Sequence, residues 1–243
     1  DRTTGGRISN DPAVFVSGFP GAGNNAVKDY GHRGVLLAAT LSALAGYVDA
    51  VGFLTLGGFF VSFMSGNSTR FGVGLATGEW TQALLAIGLI GLFVCGVVLG
   101  ASCARRFGEG RRAVILGLEA GLLLIGAGLC SVGLNGPGMV AVVLAMGVEN
   151  AVFQKNGEVG VGLTYMTGTL VRIGQRIATA LHGGPRWDWV PFLLLWGGLA
   201  CGGALGAVMF LRYGVLALWA AAATVVLLTA FVWRAESRAA RGD

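Results

Sequence analysis

Phe63-Met64-Ser65-Gly66-Asn67-Ser68-Thr69-Arg70 stands in the middle of a stretch, Gly58–Gly78, that is otherwise apolar enough to cross a bilayer. A second run, Tyr165-Met166-Thr167-Gly168-Thr169-Leu170-Val171-Arg172, stands in the same setting within Gly160–Leu181. Polar clusters of this density are not lipid-facing helix. Irregular backbone at membrane depth is tolerated only where protein buries it or a wet cavity hydrates it. The reading of these two knots decides how often the chain crosses and where its functional centre lies.

Around the knots the chain is strongly apolar. Of 243 residues, 54% are hydrophobic and 12% are charged, and 43 are Gly. A water-soluble domain carries about a quarter charged residues, so half that charge with a mean hydropathy of +0.72 means that lipid solvates the outside. A soluble enzyme, a nucleic-acid-binding domain and a disulfide-stapled secreted module are excluded. The net charge of +5 resides mostly in loops between apolar segments, where topology accounts for it. Cys95, Cys103, Cys130 and Cys201 show no metal-ligand spacing and read as small buried apolar residues.

Eight apolar stretches follow from Gly34: Gly34–Leu56, Gly58–Gly78, Thr81–Cys103, Ala113–Val132, Pro137–Gln154, Gly160–Leu181, Trp189–Leu211 and Gly214–Trp233. A hydrocarbon core of about 30 Å needs roughly twenty helical residues. The chain also repeats itself. Val48-Asp49-Ala50-Val51-Gly52-Phe53 matches Val148-Glu149-Asn150-Ala151-Val152-Phe153, the two knots match each other, and Cys95-Gly96-Val97-Val98-Leu99-Gly100-Ala101 matches Cys201-Gly202-Gly203-Ala204-Leu205-Gly206-Ala207. Three matches in one order indicate a duplication of about a hundred residues. The organisation expected is a flexible tail over 1–33, repeats over 34–135 and 136–234, and a cytoplasmic tail over 235–243.

Charge sets the orientation. Arg105, Arg106, Arg111 and Arg112 place the loop after the third stretch inside, and Lys28, Arg33, Arg234, Arg238 and Arg241 place both termini there. Arg212 is the one exception. If all eight stretches crossed, three would precede the central loop and five would follow it. The loop and the ends could then not share a side. They agree if both knotted stretches leave by the face they entered. The fold expected is therefore an all-α integral membrane protein of two inverted repeats, with six full spans and two re-entrant or broken helices. The alternative is eight spans in a parallel repeat.

Ser65-Gly66-Asn67 and Thr167-Gly168-Thr169 have the residue types of a helix start, where side-chain oxygens satisfy free backbone N–H groups and Gly permits close approach. Two helices starting near the midplane from opposite faces would aim two positive dipole ends at one volume. Arg70 and Arg172 hold the same repeat position, and a guanidinium fork suits a carboxylate or phosphate. The competing reading pairs each Arg with the acid of its own repeat, Asp49 or Glu149, to lock helices. Those two acids are also candidates for counter-charges or proton carriers. Glu119 has no repeat mate and is expected to snorkel to the interface or to meet Arg176. Gly96/Gly100 and Gly202/Gly206 are GxxxG pairs for close helix packing, within the subunit or across a dimer. No hydrolytic or cofactor-binding constellation is present, so no enzyme activity, metal or cofactor is expected.

Gly46-Tyr47-Val48-Asp49-Ala50-Val51-Gly52-Phe53 with Phe63–Thr69, and Gly147-Val148-Glu149-Asn150-Ala151 with Tyr165–Leu170, resemble the two half-motifs of the YoaK-like bacterial membrane proteins. The resemblance covers roughly Gly34–Trp233. It departs at Glu149, where the pattern usually carries Gln. It implies a multi-pass protein of the bacterial inner membrane and supplies no substrate. The function expected is a secondary transporter of a small anionic metabolite, bound by Arg70, Arg172, Ser65, Gly66, Asn67, Thr167, Gly168 and Thr169 at the repeat interface. A passive channel of the same architecture and a non-transporting scaffold or accessory subunit are the alternatives. The partners expected are the lipid bilayer, a small anionic solute and a second copy of the chain, without nucleic acid.

Overall fold

A computed structural model describes residues 31–107, 111–155, 158–159 and 165–241. The tail expected over 1–33 therefore lies outside the described residues as far as residue 30, as do residues 242–243 of the C-terminal tail. Eight α-helices follow in order: α1 (Gly31–Thr55), α2 (Met64–Thr77), α3 (Trp80–Phe107), α4 (Arg111–Ser131), α5 (Asn135–Glu149), α6 (Met166–Leu181), α7 (Val190–Tyr213) and α8 (Leu218–Arg241). A two-residue antiparallel ladder, β1 (Gln154–Lys155) with β2 (Glu158–Val159), sits between α5 and α6. A 3-10 turn, Gly214–Ala217, joins α7 to α8.

Leu, Ala, Val and Gly dominate the long helices, which is what a helix needs when lipid replaces water around it. Helix ends coincide with glycines that take positive φ at no steric cost. Gly57 and Gly58 (φ 66° and 100°) follow α1, Gly78 (76°) caps α2, Gly133 (85°) follows α4, and Gly214 (58°) breaks α7 from α8. Helices α1, α3 and α4 are each long and apolar enough to cross a membrane, as is the run Val190–Arg238. That run has 49 residues, roughly 73 Å if helical throughout, about twice the hydrocarbon thickness. It supplies two passes. By contrast α2, with 14 residues, and α6, with 16, reach only about 21 and 24 Å, too short to cross. Both knotted stretches thus form short helices, as expected, but they are not alone in being short, because α5 has only 15 residues.

The fifth stretch differs from expectation. Read as one span over Pro137–Gln154, it is helical only to Glu149, a length of 15 residues. The Asn150 side-chain amide donates to the Met146 carbonyl (2.9 Å), the acceptor that the Asn150 backbone N–H would use in a continuing α-helix. Ala151 N and Val152 N then bond Val148 O and Glu149 O in a tighter turn.

Contacts between helices come in matching pairs. The first helix of each half packs on the third of the other, α1 on α7 and α5 on α3; α2 packs on α3 as α6 does on α7; and α4 packs on α8. Both GxxxG pairs are consumed in these contacts. A Cβ at Gly202 would meet the Ala43 carbonyl oxygen at 1.9 Å and one at Gly206 the Tyr47 oxygen at 2.3 Å. On the other side, a Cβ at Gly96 would meet Leu144 O at 2.3 Å and one at Gly100 Val148 O at 2.8 Å. The glycine faces that might have served a dimer are thus filled within the chain. Tyr47 adds a buried tie, its hydroxyl donating to Ala217 O at 2.9 Å.

Candidate functional site

The first knot is held by two side chains. Asp49, on α1, accepts the backbone N–H groups of Val61 and Ser62 on one carboxylate oxygen (2.8 Å each) and the Ser62 hydroxyl on the other (2.9 Å). Asn67, in the first turn of α2 and fully buried, accepts from Phe60 N (3.0 Å) and donates to Phe60 O (2.8 Å). Polar backbone away from water must find partners, and these contacts satisfy the non-helical arm that leads into α2. Asn67 therefore spends its amide on the arm. Helix α2 begins with Phe63 at its N-cap position and without a side-chain cap.

The start of α6 lies opposite the start of α2. A cavity of about 260 Å³ is lined by Ser62, Phe63, Met64 and Ser65 from the first half, by Tyr165, Met166, Thr167 and Gly168 from the second, and by Phe93 of α3. Six of the nine are repeat mates: Phe63 with Tyr165, Met64 with Met166, and Ser65 with Thr167. The first intrahelical bond at the head of α6 is Thr169 N to Tyr165 O (3.1 Å), so the N–H groups of Met166, Thr167 and Gly168 have no acceptor within the helix. The lining carries no charged side chain.

Of the residues expected to bind solute, Ser65, Thr167 and Gly168 form part of this wall. Gly66, Asn67, Thr169, Arg70 and Arg172 do not, and Thr169 donates its hydroxyl back to Tyr165 O (3.3 Å). Sequence reasoning overlooked the aromatic and Met walls, although both sit inside the repeated runs that mark the knots.

Both arginines are half-buried and outside the cavity lining. The Arg70 guanidinium carbon is 5.0 Å from the Phe59 ring centroid and 5.9 Å from that of Phe53. A side chain at Gly58 would collide with Arg70 Nη2 at 2.8 Å. Arg172 stands over Phe192 at 5.8 Å. Neither pairs with the acid of its repeat. Asp49 is committed to Val61 and Ser62, and the ion pair among the described residues is Arg176 with Asp188 at 3.8 Å. That pair also disposes of the expectation that Glu119 meets Arg176 or snorkels outward, because Glu119 is 0% exposed. Glu149 is 0% exposed as well, and no oxygen of either glutamate has a hydrogen-bond partner.

Residues 37–231 match the family described as Protein of unknown function (DUF1275). The chain belongs to that family. A UPF0700 transmembrane protein of Rhizobium meliloti strain 1021, RA0705, is 36% identical over 209 residues, spanning 84% of this chain and 88% of the relative. The UPF0700 transmembrane protein YoaK of Bacillus subtilis strain 168 is 30% identical over 159 residues, spanning 62% of this chain and 69% of the relative. No solved structure matches significantly. The YoaK-like resemblance and the all-helical membrane fold both hold for this DUF1275 protein. Its matched region opens within α1 and closes within α8, so both knots, the cavity and the three buried or half-buried acids lie inside it.

Proposed function

We propose that this DUF1275 protein is a secondary transporter of a small anionic solute, bound where the tips of α2 and α6 meet. One observation carries the reading: a single cavity is walled by equivalent residues of both halves at the starts of two short helices, α2 and α6, that follow the repeated knots. Interrupted helices whose N-termini converge between two inverted repeats are the solute sites of many carriers. In this reading the two halves are inverted and α2 and α6 return to the faces they came from. Both termini then face the cytoplasm of a bacterial inner membrane.

The chemistry favours an anion. Both helix starts present positive dipole ends, and that of α6 adds N–H groups without an acceptor inside the helix, whereas Met64 N and Gly66 N of α2 are taken by Ser62 O and Phe63 O. Ser65 and Thr167 add hydroxyls, and α2 and α6 each carry an arginine, Arg70 and Arg172, with no carboxylate on either among the described residues. The volume, about 260 Å³, is near the lower bound of ligand pockets at roughly 300 Å³, which suits a metabolite of few atoms. Phe63, Phe93 and Tyr165 leave room for an apolar portion. Asp49 acts here as the group that fixes the first arm.

Flux in proteoliposomes tests the reading, with labelled phosphate, acetate, succinate and glutamate as probes. Saturable uptake with exchange of labelled for unlabelled solute is the result expected. Unsaturable flux that only dissipates gradients would make the protein a channel. No flux of any probe, with a partner retained through purification, would make it a scaffold.

A further inference from the structure

Glu119, on α4, and Glu149, at the end of α5, are 0% exposed, and the residues about one turn away along the chain, Leu116, Leu123, Met146, Val152 and Phe153, are buried as well. All four of their carboxyl oxygens are buried and without a hydrogen-bond partner. Among the described residues neither glutamate has a cation within ion-pair distance. The contacts of Gly126 with Val142 and of Gly138 with Cys130 set α4 antiparallel to α5 in a register that brings Glu119 level with Glu149, and Glu119 and, from α1, Asp49 both act electrostatically on Glu149.

Every element packed against the pair is poor in compensating charge at this level. Besides Asp49, α1 offers the Tyr47 hydroxyl, which donates to Ala217 O. Helix α3 approaches α5 through Gly96 and Gly100, and its charged residues, Arg105 and Arg106, wait for its last turn. Helix α8 meets α4 through Thr229 at Gly117 (3.7 Å), with Arg234, Glu236 and Arg238 beyond. On α4 itself, Arg112 stands over the Phe153 ring at 5.8 Å beside Arg111, and Arg112 is about 10 Å along the helix from Glu119. Helix α5 has no further titratable group.

An isolated carboxylate in such surroundings is far more costly than the neutral acid, and two of them together more costly still. A metal ion does not resolve the conflict. Hard cations take six or more oxygen ligands, and among the described residues no three His, Cys, Asp or Glu side chains converge on one point. A proton needs only one oxygen. Leu or Gln would fill either position at less cost to stability, so the acids are explained by use.

We infer that Glu119 and Glu149 form a buried proton-binding pair, neutral in the form described and releasing a proton to water when movement of α4 against α5 hydrates it. The proton leaves as hydronium, and the water that takes it solvates the remaining carboxylate. Coupling of that release to solute movement rests on the transporter reading above.

Infrared spectroscopy of the full chain in lipid vesicles near neutral pH tests the pair directly. Protonated carboxyl bands that shift in D₂O are expected in the unmodified protein, with about half the intensity lost in Glu119→Gln and half in Glu149→Gln. Absence of such bands, or bands unchanged in both variants, would overturn the inference whatever the protein transports. Gln matches the neutral acid in shape, so both variants are expected to fold. A collapse of Glu149→Gln, read as loss of a monodisperse peak in detergent, would mean an ionised structural role and would also overturn it. With a transported probe from the flux panel in hand, each Gln variant is expected to keep exchange. Accumulation driven by a pH gradient should fall at least tenfold. Unchanged accumulation in both variants would sink the coupling while leaving the transporter reading intact.

Discussion

Substituting Gly202 by Ala tests the helix contact on which the two halves depend. The added Cβ would lie 1.9 Å from the carbonyl oxygen of Ala43, and real Cβ atoms essentially never approach closer than 3.0 Å. Backbone stands on both sides, so no side-chain rotation relieves the clash. Helices α1 and α7 must part by more than an ångström, and Gly198 and Gly206 on the same face lose their contacts with Ala39 and Tyr47. Overpacking of this kind costs about 1–3 kcal/mol. Gly203, the next residue, is the internal control, because a Cβ there would meet Gly46 O at an ordinary 3.6 Å. Gly203→Ala should be neutral or gain up to about 1 kcal/mol from helix propensity. The gap between the variants is then about 1–4 kcal/mol, readable as separated unfolding midpoints in one detergent at one protein concentration. Equal midpoints would refute the close α1–α7 approach and the matching contact of Gly96 with Leu144.

Asp49→Ala removes the acceptor of two backbone N–H groups and one hydroxyl; at about 1–3 kcal/mol for each buried group left unsatisfied, it should destabilise more than Asp49→Asn, which keeps one acceptor oxygen, and thermal unfolding will rank them. A Cβ at Gly168 meets nothing within 4 Å, so Gly168→Leu should leave the unfolding midpoint within about 0.5 kcal/mol of the parent while filling the cavity and abolishing probe flux in proteoliposomes. Arg70→Gln and Arg172→Gln each withdraw a positive charge from a helix whose start lines the cavity, and on the transporter reading each should weaken the apparent affinity for an anionic probe about tenfold, a loss on the order of 1.4 kcal/mol, with no comparable change in stability.

The arginine prediction follows from an imbalance in magnitude. A guanidinium at membrane depth costs about 2.5–3.5 kcal/mol on insertion scales. A ring face returns about 0.5–2 kcal/mol. Arg70 has two such faces, Phe59 and Phe53, and Arg172 has Phe192. Aromatic contact alone therefore leaves both, and Arg172 especially, short of compensation. A locking role would have drawn Asp49 onto Arg70. Instead the carboxylate is used up on the arm of residues 61–62, and Arg70 is left against Phe59 and Phe53 without a carboxylate among the described residues.

The architecture was legible because it rests on patterns that the bilayer imposes locally. Apolar length marked the spans, the Ser/Gly/Asn and Thr/Gly/Thr knots marked the two short helices, and the spaced glycines marked the close contacts. Each is a property of a few consecutive turns. The break at Glu149 was not legible, since it depends on the Asn150 side chain outcompeting its own backbone for Met146 O. The arginine partners were missed for a related reason: spacing along a helix gives depth, whereas Asp49 was claimed by an irregular arm whose path no periodicity describes. Glu119 is the clearest case. It has no mate in the repeat, and symmetry therefore offered it no role. Its neighbour Glu149 comes from the other half, brought up by the packing of α4 on α5 across the repeat boundary. A duplicated chain shows in its sequence what its halves share, but a group that one half holds alone acquires meaning only where the halves touch.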